Sequence, residues 1–157
     1  YYEMISRGYS KKPVLLGQSR GGLMMLSWAV KNPNRVGGFA GIYPVLNLRS
    51  WPMKRNLGPT LADFGMDRDV FSHVIVQHNP INHLAGLAQA KVPMCIVHGD
   101  SDRVVPLEDN SAILADRYGK LGGDAKVEVV PGKGHQVVDE FFKSAKLIQF
   151  MLERSAP

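Results

Sequence analysis

Apolar residues in this chain fall into short continuous runs separated by longer stretches of helical period. Val14–Leu16, Val36–Tyr43, Met94–His98 and Lys126–Val130 are the runs. Val14–Leu16, apolar on both faces, suits a strand of a parallel sheet covered by helices, and the other three are read as strands beside it, the last with Lys126 and Glu128 among its valines. Between the first two, Gly21–Lys31 sets Leu23, Leu26, Trp28 and Val30, with Met24 or Met25, around an apolar helix. Asn32-Pro33-Asn34 ends it, because proline disfavours a helical conformation in the residue before it. Leu107–Leu121 predicts a second long helix, with Glu108 and Asp109 in its first turn, where carboxylates complement the dipole, and Gly122-Gly123 past its end. His83–Ala90 reads as a short helix. Phe141–Arg154 reads as a final one, with Phe142, Leu147, Phe150 and Met151 facing the core. Tyr1–Arg7, closed by Gly8, reads as the last turns of a helix. Four strands alternating with helices predict an α/β fold, a parallel sheet with helices on both faces and right-handed crossovers.

One stretch breaks the alternation. From Pro44 to about Asn82 the periodicity is poor and Trp51, Pro52, Met53, Phe64 and Phe71 are scattered among polar residues. It is too long for an ordinary connection, so 44–82 is expected to be an insertion of short helices forming a cap over the carboxyl edge of the sheet.

Composition narrows the function classes. The 157 residues make one domain or part of a larger one, and 45% apolar content supports a packed core. The formal charge of +5 is spread along the chain without a basic stripe, so no nucleic-acid partner is expected. No apolar run approaches the roughly 20 residues of a membrane span. The single cysteine, Cys95, excludes an intrachain disulfide and reads as a small buried apolar residue. His73, His78 and His83 recur at a spacing that does not share a helical face, so no metal site is expected, and no cofactor motif is present. Nothing in the sequence assigns a compartment.

The chemistry gathers at strand ends, where parallel-sheet enzymes place it. The first strand runs into Gly17-Gln18-Ser19-Arg20-Gly21 and then into a helix, the order a nucleophile elbow requires. Gly17 and Gly21 are expected to be glycine because a Cβ at either would strike neighbouring backbone. The third strand ends in Asp100 and Asp102, the fourth in Gly132-Lys133-Gly134-His135. Serine, acid and histidine in this order fit a triad in which His135 takes and returns the Ser19 proton and an aspartate fixes the imidazole tautomer. Tyr43, at a strand end, is a candidate pocket residue or a packing residue. Trp51 is a candidate stacking surface or a core residue. Arg20, beside the nucleophile, is a candidate anion ligand or a surface residue.

Gly17-Gln18-Ser19-Arg20-Gly21-Gly22, His98-Gly99-Asp100-Ser101-Asp102-Arg103-Val104-Val105-Pro106 and Gly132-Lys133-Gly134-His135 together resemble the α/β-hydrolase superfamily, nearest its prolyl-oligopeptidase-like and dienelactone-hydrolase-like branches. Asn79-Pro80-Ile81 is similar to the Ser-Pro-Ile element before the acid strand of oligopeptidase-like proteins. The resemblance runs from Lys12 to about Leu152. It implies Asp102 as the acid, Asp100 as a loop-organising residue and the Arg20 N–H as one oxyanion donor. It also implies a sheet of about eight strands, of which these are the last four. The chain is therefore expected to be the carboxyl-terminal half of the domain, residues 1–157, with the other half, or a chain supplying it, as a partner bearing the second oxyanion donor. The expected activity is hydrolysis of a small-molecule carboxylic ester through an acyl-enzyme. An oligopeptidase-like peptidase and an inactive binding module of the same fold are the alternatives.

Overall fold

The structure, a computed structural model, describes residues 1–54 and 56–155. Its centre is a four-stranded parallel sheet in the order β1 (Val14–Gln18), β2 (Gly38–Ile42), β3 (Met94–Gly99), β4 (Ala125–Val130). The expected strands are all present, each within about two residues of its predicted ends. Successive residues face opposite sides of the sheet. Phe39, Met94 and Ile96 therefore join one core cluster, while Ala40, Ile42, Cys95 and Val97 join another. Leu26 of α2 (Arg20–Lys31), Leu87 of α5 (Ala85–Gln89), and Leu114 and Tyr118 of α6 (Ile113–Lys120) cover the first face. Phe141 of α7 (Asp139–Phe142) and Leu147 of α8 (Ala145–Ser155) cover the second. Tyr118 satisfies its buried hydroxyl by donating to Val92 O at 2.7 Å, and burial pushes its phenol up to about 12.

The amino-terminal helix is α1 (Tyr2–Ser6), within a residue of its expected ends and with Gly8 at φ 86° just past Arg7. Two helices depart from expectation. The helix after β3 opens as a π turn over Glu108–Ala112, with Ala112 N donating to Leu107 O, and becomes regular only at Ile113. The final helix is two helices. Ser144 Oγ accepts from Leu147 N as a cap and donates to Glu128, which starts α8 afresh.

Segment 44–82 contains α3 (Leu57–Phe64), α4 (Arg68–His78) and a 3-10 turn at Pro80–Asn82; Arg55 lies outside the described residues. Its base is fastened by buried asparagines. Asn110 Oδ1 accepts from Leu46 N and Asn47 N, its Nδ2 donates to Ser50 Oγ and Pro106 O, and Asn79 Nδ2 donates to Asn47 Oδ1. Each of these bonds satisfies a group that would otherwise be buried without a partner.

A candidate active site at the carboxyl edge

Ser19 sits between β1 and α2 with φ 47° and ψ −124°, a region sparsely populated by residues other than glycine. The corner is over-determined. Ser19 N donates to Ile42 O at 3.0 Å, and Ser19 O accepts from Gly22 N at 3.0 Å and Val45 N at 2.8 Å. A Cβ on Gly17 would lie 2.5 Å from Gly22 Cα, and one on Gly22 would run into Pro44. Gly21 departs from expectation, since a Cβ there meets nothing within 4 Å. The close approach is made by Gly17 and Gly22, on the inner side of the turn.

The three strand ends converge. Ser19 Oγ is 2.9 Å from His135 Nε2, and His135 Nδ1 is 2.8 Å from Asp102 Oδ2. The imidazole is 19% exposed, which leaves it reachable by substrate and water, while the Asp102 side chain is fully buried. Asp102 Oδ1 accepts from Val104 N at 2.9 Å and Val105 N at 2.8 Å. Burial alone would raise the Asp102 pKa. Hydrogen bonds from His135, His98 and Val105 N–H outweigh it and hold the carboxyl well below the usual carboxylate range. Asp100 does not approach the relay. Its Oδ1 accepts from Gly132 N at 2.7 Å, joining the acid loop to the histidine loop, the loop-organising place implied by the resemblance.

A second histidine lies beneath the aspartate. His98, fully buried, has Nε2 at 2.8 Å from Val105 O and 3.5 Å from Asp102 Oδ2, and Nδ1 at 2.7 Å from Ser111 Oγ. A carbonyl only accepts, so Nε2 carries hydrogen, and in the neutral ring Nδ1 accepts from the Ser111 hydroxyl. The sequence offered one signal for this: a histidine in an otherwise apolar buried strand must find partners.

The Arg20 backbone N–H opens α2, among the amides of a helix N-terminus that have no intrahelical acceptor, and it lies next to Ser19. The Arg20 guanidinium lies 5.9 Å from the centroid of the Trp51 ring. Trp51 lines a cavity of about 930 Å³ that opens at Ser19 and runs between α2 and the α3–α4 pair, floored by Leu48 and Pro52. Tyr43 is absent from its walls. Tyr43 is 2% exposed, with its ring centroid 4.5 Å from that of His135 and 5.1 Å from that of Phe141, and its hydroxyl accepts from Gln18 Nε2 at 2.6 Å. The structure therefore places it as a buttress behind the histidine. Burial raises its phenol above the usual value. Cys95 is buried in β3, where burial also raises its thiol. No group of residues suited to holding a metal ion occurs among the described residues, and no helix among them is long and apolar enough to cross a membrane.

Comparison with known proteins bears on the family and the fold. A family model described as the prolyl oligopeptidase family matches residues 3–153. Acyl-protein thioesterase 1 of Gibberella zeae is 29% identical over 127 residues, which cover 81% of this chain and 42% of that protein. Monoacylglycerol lipase of Mycolicibacterium smegmatis is 26% identical over 161 residues, covering 81% and 56%. Among solved structures, the acylaminoacyl peptidase of Pyrococcus horikoshii superposes with a TM-score of 0.74 at 15% identity, covering 98% of this chain and 26% of that one. The chain thus spans about half the length of the curated relatives it matches, and the structural likeness speaks for the fold. With four parallel strands, helices on both faces and the family model spanning nearly the whole chain, this protein belongs to the prolyl oligopeptidase family of α/β hydrolases.

Proposed function

We propose that the protein is a serine hydrolase that cleaves carboxylic esters through an acyl-enzyme on Ser19. The observation that carries this is the continuous relay from Ser19 Oγ through His135 to the buried Asp102 carboxylate, beside an apolar cavity. In acylation, Ser19 Oγ attacks the ester carbon and its proton passes to His135 Nε2. The C–O bond to the alcohol then breaks, and His135 returns the proton to the departing oxygen. A water repeats the sequence, giving His135 a proton as it attacks the acyl carbon and releasing the acid and free Ser19. Asp102 holds the Nδ1–H tautomer and balances the imidazolium. The Arg20 N–H is one donor to the tetrahedral oxyanion. Removal of one such donor costs about 10²–10³ in kcat.

The two curated relatives support the ester reading, being named for thioester and glyceride hydrolysis. A peptidase is the second reading, supported by the family description and by the peptidases among the structural neighbours. A fluorophosphonate probe on the full-length protein tests the nucleophile: labelling is expected, and its loss in Ser19→Ala assigns it. Labelling that persists in Ser19→Ala would overturn the assignment. Parallel assays on p-nitrophenyl esters and peptide p-nitroanilides separate the readings, and faster turnover of the peptides would favour the peptidase.

A further inference from the structure

The cavity beside Ser19 is built on one side only. Its walls include Ser19, Arg20 and Gly21 but no residue of the acid loop after β3 or of the histidine loop after β4. The leaving alcohol must lie against His135 Nε2 to receive its proton, so it occupies the side of Ser19 that this cavity does not reach. What enters the cavity is the acyl portion, the part that stays on Ser19 after the alcohol leaves.

Two helices set the length of that space. On α2 the lining residues include Leu23, Met24 and Ser27, and on α4 they are Phe71, Val74 and His78, each set a stripe along one helix face. From Arg20 to Ser27 the wall runs about 10 Å at ~1.5 Å per residue. An extended alkyl chain with C–C bonds of ~1.5 Å advances roughly 1.25 Å per carbon, so the wall spans about eight carbons. At Ser27 and His78 the trough meets a second, smaller hollow lined by Val30 together with the polar Lys31, Gln77 and His83. Along the trough itself Met24 and Phe64 are 66% and 64% exposed, apolar surface that a bound chain would cover. The volume, about 930 Å³, is at the upper end for a small-molecule site, so the chain is limited by the length of the walls and not by girth.

We infer that the cavity is an acyl-chain site, selective by length for acyl groups of about eight to ten carbons, with the alcohol left outside it. This rests on the hydrolase reading above. The test is kcat/KM of the full-length protein on p-nitrophenyl acetate, butyrate, octanoate, decanoate and hexadecanoate, alongside acetates of ethanol and octanol. Burial of successive methylenes predicts a rise of at least about 10²-fold from acetate to octanoate. The rate should peak at octanoate or decanoate and fall for hexadecanoate, with no comparable gain from the longer alcohol. Ser27→Phe shortens the far end and should lower the decanoate-to-butyrate ratio by about tenfold or more. Val74→Phe, from the opposite wall, is the second variant should the first not fold. A flat acyl profile, or a gain that follows the alcohol, with Ser19 still labelled by the fluorophosphonate, overturns the acyl-chain site and leaves the hydrolase reading standing. Failure of Ser19 to label overturns the hydrolase reading itself.

Discussion

Replacing Asp102 by asparagine probes the relay with little change of shape. Two backbone amides, Val104 N and Val105 N, point at Oδ1, so the new amide places its oxygen there and its NH2 where Oδ2 was. That NH2 then faces His135 Nδ1 across 2.8 Å. A donor opposite Nδ1 forces the ring to accept there and to carry its hydrogen on Nε2, the atom 2.9 Å from Ser19 Oγ. In this tautomer His135 cannot take the serine proton. The expected loss is about 10⁴ in kcat, the cost of the wrong tautomer in triad hydrolases, or roughly 5.4 kcal/mol at 1.36 kcal/mol per tenfold. Fold should survive, because the Oδ1 acceptor is kept. The lost charge-assisted bond should cost about 1.5–3 kcal/mol at neutral pH. The pH dependence has a definite sign. The Asp102 carboxyl is held below its ordinary value in the fold, so its stabilisation is complete above the normal carboxylate pKa of about 3.9 and is lost as pH falls from there through the folded value. Denaturant midpoints of wild type and Asp102→Asn should therefore be separated at pH 7 and converge on acidification. A kcat loss under about 30-fold in a folded variant would refute the relay; midpoints that diverge at low pH would refute the linkage.

Other substitutions test the parts around the relay. Gly17→Ala drives a Cβ to 2.5 Å from Gly22 Cα and should cost about 2 kcal/mol or more, whereas Gly21→Ala meets open space and should be neutral or stabilise α2 by up to about 1 kcal/mol; urea midpoints read both. Asn110→Ala strips acceptors from the buried Leu46 and Asn47 amides and should destabilise by about 3 kcal/mol or more in the same assay. His98→Phe keeps the volume but removes both ring nitrogens. It should lower kcat about 10-fold or more with KM little changed, Asp102 losing a donor while the cavity walls stay in place, and an equal loss in KM would refute that separation. Tyr43→Ala opens a void behind the His135 ring and should cost about 3–5 kcal/mol on thermal or chemical unfolding together with activity, while Tyr43→Phe should be mild because only the bond from Gln18 is lost.

The inner strands β2 and β3 are buried throughout and their apolar runs made them legible, while the half-exposed β4 sets Lys126 and Glu128 among its valines. The relay was legible because each of its members ends a strand. What hydrogen bonding alone decides was not. The π turn at Glu108–Ala112 leaves the apolar pattern of the helix unchanged, so nothing in the spacing of Leu107, Ile113 and Leu114 reveals it. The break before α8 hangs on one hydroxyl, Ser144 Oγ, acting as a cap inside an otherwise continuous apolar period. Gly21 illustrates the limit of a motif: Gly-x-Ser-x-Gly names it, yet the crowded position is Gly22, whose neighbour Pro44 comes from a different strand end. By sequence Tyr43 was as much a packing residue as a pocket residue, and Trp51 was read more as core than as a stacking surface. The direction each side chain takes from its loop separated them, Tyr43 into the core and Trp51 into the cavity wall.

The π turn ties the acid to the cavity. Its two consecutive residues Asn110 and Ser111 are both fully buried and polar, and they serve different masters. Asn110 holds Leu46, Asn47 and Ser50, next to the cavity residues Leu48 and Trp51, and it also binds Pro106 O at the end of the acid loop. Ser111 holds His98, whose other nitrogen reaches Val105 O and Asp102. The extra residue in the turn brings neighbouring side chains inward together, where each finds a partner. Loops built from turns and insertions are ordinarily the mobile part of such a site. Here Asn110 alone holds both the end of the loop that carries Asp102 and the loop beside the cavity, while Ser111 reaches the acid through His98, so one turn of helix ties the two loops together.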